Sequence, residues 1–107
     1  MELSIIERLG LLSVLPKEGS FVTLRIVNDL RKSVGFTEEE IKAFDLREGD
    51  GRVTWNDAAA IPSDVSIGEK ANDIIVEALK NADRAKVLNA STFALYERFV
   101  EGASNGD

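Results

Sequence analysis

The sequence predicts a mainly helical α+β domain: three helices, a two-stranded antiparallel β-hairpin, then two helices. Three observations carry this. Apolar residues recur at helical spacing over most of the chain, period-two alternation is confined to residues 52–56 and 64–67, and helix-starting residues stand at several of the boundaries. At 107 residues and 44% hydrophobic content, the chain is sized for one core. Residues 1–101 are expected to form one globular domain and residues 102–107 a flexible tail.

The first helix is expected from Leu3 to Leu15, where Leu3, Ile5, Ile6, Leu9, Leu11, Leu12, Val14 and Leu15 cover most of the circumference before Pro16 stops the pattern. A helix apolar nearly all round is buried between other elements or forms a subunit interface. Ser20 is placed to cap a second helix, whose buried face is Leu24, Val27, Leu30 and Val34. Arg25, Asp29 and Lys32 lie on its solvated side, and Gly35 fits the position just past its end.

The third helix has the clearest start. Thr37 and Glu40 form a capping box, Phe36 and Ile41 complete a hydrophobic staple, and Glu38, Glu39 and Glu40 sit at the positive end of the helix dipole. The pattern dissolves within about two turns. Arg52–Asn56 and Asp64–Ile67 then alternate as strands. Pairing them would lay Val53, Trp55, Val65 and Ile67 on the helices. A long helix follows from about Gly68, with Ala71, Ile74, Ile75, Ala78, Leu79 and Ala82 inward. Ser66 and Glu69 offer it a capping box, in competition with the strand. The last helix follows Asn89, with Phe93, Tyr96, Phe99 and Val100 on its apolar side.

Composition excludes several chemistries. With no Cys and no His there is no disulfide, no thiol nucleophile, no imidazole acid–base and no zinc site of the usual ligand types. No apolar run approaches the roughly 20 residues of a membrane span. Glu2 and Glu7 put negative charge where a signal peptide wants a basic start, so a cytoplasmic location is expected.

The net charge of −6 is concentrated: residues 37–77 hold 11 acidic and 4 basic side chains, whereas the flanking segments are close to balanced. A winged-helix-like nucleic-acid binder fits the element order, but the acidic segment contains its would-be recognition helix and wing, opposite to what phosphates require. An acidic decoy that occupies the basic groove of a host nucleic-acid-binding protein suits the sign, but charges that simply keep a small domain soluble are the preferred reading, because Glu38, Glu39 and Glu40 already serve the helix start. Residues 44–57 resemble a calcium-binding loop, with Glu48 and Asp50 before Gly51. In that register Leu46 takes the first ligand position and Asp57 the last, so an acidic turn leading into a strand is preferred. Gly102–Gly106 matches the letters of a Gly-x-Ser-x-Gly elbow without its strand or its His partner. Carboxylate pairs such as Asp45 with Glu48 are what any acidic chain offers. Trp55 is either a core residue or a partner anchor.

Read together, the Gly49-Asp50 to Trp55-Asn56 stretch, Ile67-Gly68-Glu69-Lys70-Ala71 with Asp73-Ile74-Ile75, Leu95-Tyr96-Glu97 with Phe99, and Leu15-Pro16-Lys17-Glu18-Gly19 resemble small phage and prophage proteins of unknown function. The resemblance covers nearly the whole chain. It implies an accessory protein in a bacterial cytoplasm, with no chemistry or site residues to carry over.

The expectation is therefore a non-catalytic, acidic interaction or assembly protein without a cofactor. It would bind a protein partner, self-association through the first and last helices included, rather than a membrane or nucleic acid. Its candidate partner surface is Glu38, Glu39, Glu40, Asp45, Glu48, Asp50, Trp55 and Asp57.

Overall fold

In a computed structural model, residues 1–58 and 61–102 are described. Residues 103–107 of the tail expected over 102–107, and most of the Gly-x-Ser-x-Gly match, lie outside them, while Gly102 keeps helical backbone at the end of the last turn. A two-residue strand β1 (Glu2–Leu3) leads into α1 (Ile5–Val14), α2 (Phe21–Val34) and the short α3 (Glu38–Ala43). The hairpin strands β2 (Arg47–Gly49) and β3 (Arg52–Thr54) follow, then β4 (Ser63–Asp64), α4 (Glu69–Arg84), α5 (Ala90–Tyr96) and a π-helical turn over Glu97–Glu101. The class is the mainly helical α+β arrangement the sequence predicts, hairpin included.

Helix starts follow local side-chain chemistry. Ser20 and Thr37 cap α2 and α3 as their positions indicate, and Thr37 and Glu40 complete the capping box. The first helix begins later than the apolar run suggests. Ser4 accepts from the Glu7 N–H while the Glu7 carboxylate accepts from the Ser4 N–H, so Ser4 starts the helix and Leu3 is left in a strand. Gly68, not Ser66, is the N-cap of α4, and Asn89 caps α5 in a box with Thr92.

The hairpin is real, but one of its strands differs from expectation. Strand 52–54 pairs with 47–49 across a two-residue turn of Asp50 (φ 51°) and Gly51 (φ 73°). Left-handed backbone at both central residues matches a type I′ turn, the connection whose twist suits a β-hairpin. Local closure costs little entropy compared with the longer 57–63 connection. Residues 63–64 instead pair antiparallel with Glu2 and Leu3, and the Val65 N–H donates to the Met1 carbonyl.

One cluster joins Leu3, Leu11, Leu15, Val27, Leu30 and Val34 to Val65, Ile75, Leu79, Leu95 and Phe99. Helix α1 packs against α2, α4 and α5, which buries Ile5 and Leu11 inside the molecule and leaves Ile6 42% exposed. Val65 is buried and Ile67 packs at the edge of the core, whereas Val53 and Trp55 are only half-buried on the peripheral hairpin. The α5 register also differs: Leu95 and Phe99 point inward and Phe93 is 57% exposed. Gly10 explains the close α1–α5 approach, because a Cβ there would lie 2.8 Å from Leu95 Cδ1 and 3.2 Å from the Ser91 carbonyl oxygen.

Candidate functional site

The acidic segment begins at the joint between α2 and α3, which is organised by a residue that sequence reasoning passed over. Arg8, on α1, is only 2% exposed. Its Nε donates to the Val34 carbonyl at 2.9 Å and Nη2 to the Gly35 carbonyl at 2.7 Å, which caps the C-terminus of α2. Nη1 and Nη2 donate to the two Glu40 carboxylate oxygens at 2.6 and 3.0 Å, and the guanidinium stacks 4.0 Å from the Phe36 ring centroid. Among the described residues, no buried side-chain polar atom lacks a hydrogen-bond partner.

This changes the standing of Glu40 within the predicted surface. Its Oε1 also accepts from the Thr37 N–H, so the carboxylate closes the capping box and neutralises Arg8 at once. The Arg8 guanidinium holds the Glu40 carboxyl down at about 2. Glu40 is therefore a structural counter-ion, whereas Glu38 and Glu39 remain exposed on the first turn of α3.

Asp45 also has a structural place. It follows the α3 C-cap with φ 53°, its N–H pointing to the Lys42 carbonyl while the Leu46 N–H donates to the Ile41 carbonyl at 2.9 Å. That is a Schellman ending with Asp in the left-handed position. The Asp45 carboxylate accepts from Arg47 Nε at 3.0 Å. The Trp55 indole N–H donates to Asp57 Oδ1 at 2.7 Å, so these two pair with each other rather than both facing a partner. Glu48 stands exposed on β2 and Asp50 at the hairpin tip. Among the described residues, no group of three or more acidic side chains is placed to hold a metal ion. The 45–57 stretch folds as an acidic hairpin, not as a loop between two helices.

What the structure adds is an open apolar groove in the same segment. Leu9 from α1, Phe36 and Ile41 flanking and within α3, Leu46 at its Schellman ending and Val53 from β3 surround about 310 Å³, with Arg47 and Glu48 in the wall. The Ile41–Leu46 pair is what a Schellman ending brings together, so part of this wall was foreshadowed by the α3 boundary. A second feature had no sequence signal beyond composition: Phe21 and Val22 open α2 at 79% and 62% exposure.

No family model, curated protein or solved structure matches the chain. No helix among the described residues is long and apolar enough to cross a membrane.

Proposed function

We propose that this chain is a small non-catalytic interaction or assembly protein whose binding face is the groove between α1, α3 and the hairpin. The supporting observation is the groove itself. Five apolar side chains from α1, the α3 segment and β3 line it, with Glu48 and Arg47 in its wall and Glu38 and Glu39 exposed on the same short helix as Ile41. An apolar centre with a charged rim is the anatomy of a protein-binding patch. The complementary surface carries an apolar anchor flanked by cations.

The winged-helix alternative is set aside in this proposal. Its recognition helix would be α3, which has six residues and three glutamates in its first turn, one of them committed to Arg8. The resemblance to small phage and prophage proteins supplies the context, an accessory role in a bacterial cytoplasm.

Site-specific photo-crosslinking tests the reading. A photoreactive residue at Ile41 or Glu48, in cells producing the protein, is expected to give discrete protein adducts. The same residue at Lys80, exposed on the outer side of α4, should not. Equal labelling at all three positions, or none at any, would overturn the assignment.

A further inference from the structure

The strongest unexplained feature is the far end of α2. Phe21, its first residue, is the most exposed of the large hydrophobic side chains described, and Val22 beside it is also exposed. Phe21 borders a shallow groove of about 600 Å³ whose apolar floor includes Pro16, Leu24 and Val27. Every charged residue in that wall is basic: Lys17, Arg25 and Arg31. The amide end of a 14-residue helix adds positive potential there. In a chain of net charge −6, this is a local inversion of sign around an aromatic knob.

The other end of the same helix carries the opposite arrangement. Phe36, two residues past the end of α2, lines the 310 Å³ groove, which has Glu48 and Arg47 in its wall and Ile41 from the same short helix that carries the exposed Glu38 and Glu39. Fifteen residues at 1.5 Å each separate Phe21 from Phe36 by roughly 20 Å along the helix direction. The two surfaces share no lining residue.

We infer that the occupant of the groove lined by Phe36 is Phe21 of a second copy of this chain, with Lys17 and Arg25 of that copy facing Glu38, Glu39 and Glu48. The inference rests on the binding face proposed above and names its partner. Knob and hole are different surfaces, so each copy offers one of each, and the contact is not a patch meeting itself. Arg47, the one cation in the hole's wall, is paired with Asp45 at 3.0 Å.

Sedimentation velocity from micromolar to millimolar protein tests this. Wild type is expected to self-associate, more weakly as added salt screens the rim charges. Phe21→Glu removes the knob at an exposed position, and Ile41→Glu places a charge in the hole. Each alone should weaken association roughly tenfold or more. Glu48→Lys, on an exposed strand position, should weaken it without threatening the fold. Mixing Phe21→Glu with Ile41→Glu should restore a one-to-one complex, because one retains the hole and the other the knob.

A wild type that stays monomeric at millimolar concentration overturns the inference, as does association indifferent to Phe21→Glu or a mixture that fails to recombine. If the protein is monomeric while the Ile41 crosslinker still captures a different protein, self-docking falls and the binding face stands. Absence of any adduct removes both.

Discussion

Arg8 and Glu40 form a two-pronged ion pair at 2.6 and 3.0 Å across the joint where α2 ends and α3 begins. The same guanidinium satisfies the last carbonyls of α2, so a single side chain from α1 fastens three helices. Arg31 makes a looser counterpart, reaching the Leu12 and Leu15 carbonyls near the end of α1 at 3.5 Å. Each of these two helices thus lends a cation to the negative end of the other.

Removing either partner of the pair strands a buried charge. Arg8→Met and Glu40→Gln are each expected to cost about 3 kcal/mol in urea unfolding, the range for breaking a buried ion pair. Arg8→Lys should be nearly as damaging, because an ammonium cannot reproduce the fork that serves Glu40, Val34 and Gly35 together. The Arg8→Met/Glu40→Gln double variant should lose less than the sum of its parts. Additive losses would show that the pair is not coupled.

Acid should unfold the chain through the same carboxylate. Glu40 holds its proton less tightly when folded, at about 2 against an ordinary 4.5. Its contribution is complete above about 4.5 and is lost as pH falls towards about 2, on the order of 3 kcal/mol in all. At Glu7 burial pushes the carboxyl up, but the Ser4 N–H and the Arg98 guanidinium outweigh it and leave it lowered, so its stability is lost in the same acid direction. Urea midpoints measured between pH 6 and 2 should fall steeply in wild type and less steeply in Glu40→Gln. Parallel curves would contradict this origin.

Two helices end on non-glycine residues in left-handed backbone: Asp45 (φ 53°) after α3 and Lys86 (φ 60°) after α4. At Lys86 the Schellman bonds are complete, with Lys86 and Val87 N–H groups donating to the Asp83 and Ala82 carbonyls at 3.0 Å. Relief of the left-handed strain exceeds the extra chain entropy of glycine. Lys86→Gly is expected to stabilise the fold by about 0.5–1 kcal/mol, read as a raised thermal midpoint. Asp45→Gly should gain less, since it also gives up the bond to Arg47.

The inward register of α5 separates two aromatic or aliphatic neighbours sharply. Leu95→Ala should cost about 2–5 kcal/mol and Phe93→Ser less than about 0.5, measured by chemical denaturation. Gly10→Val should destabilise by about 1–3 kcal/mol despite leaving the weaker helix former, because the new side chain meets Leu95 and the Ser91 backbone. Equal losses at Leu95 and Phe93 would mean that the helix is rotated from the position described.

Local chemistry by itself determined much of this protein. The starts at Ser20 and Thr37, the buried stripes of α2 and α4, and the acidic character of residues 37–57 depend on residues three or four apart and were legible directly. Two further signals were present but outweighed: the Ser4–Glu7 capping box lay inside an apolar run, and the Asp50-Gly51 hairpin turn lay inside a run of carboxylates that resembles a calcium-binding loop. Only the tertiary structure decided the rest. Arg8 is buried because Glu40 and the Val34 and Gly35 carbonyls converge on it, from positions 32 residues or fewer away that no short-range pattern links. The pairing of Glu2 and Leu3 with Asp64 and Ser63, and the choice of Leu95 over Phe93 for the core, likewise followed from which segments meet. Desolvation and packing are set by the neighbours a side chain acquires on folding, and those are long-range properties of the fold.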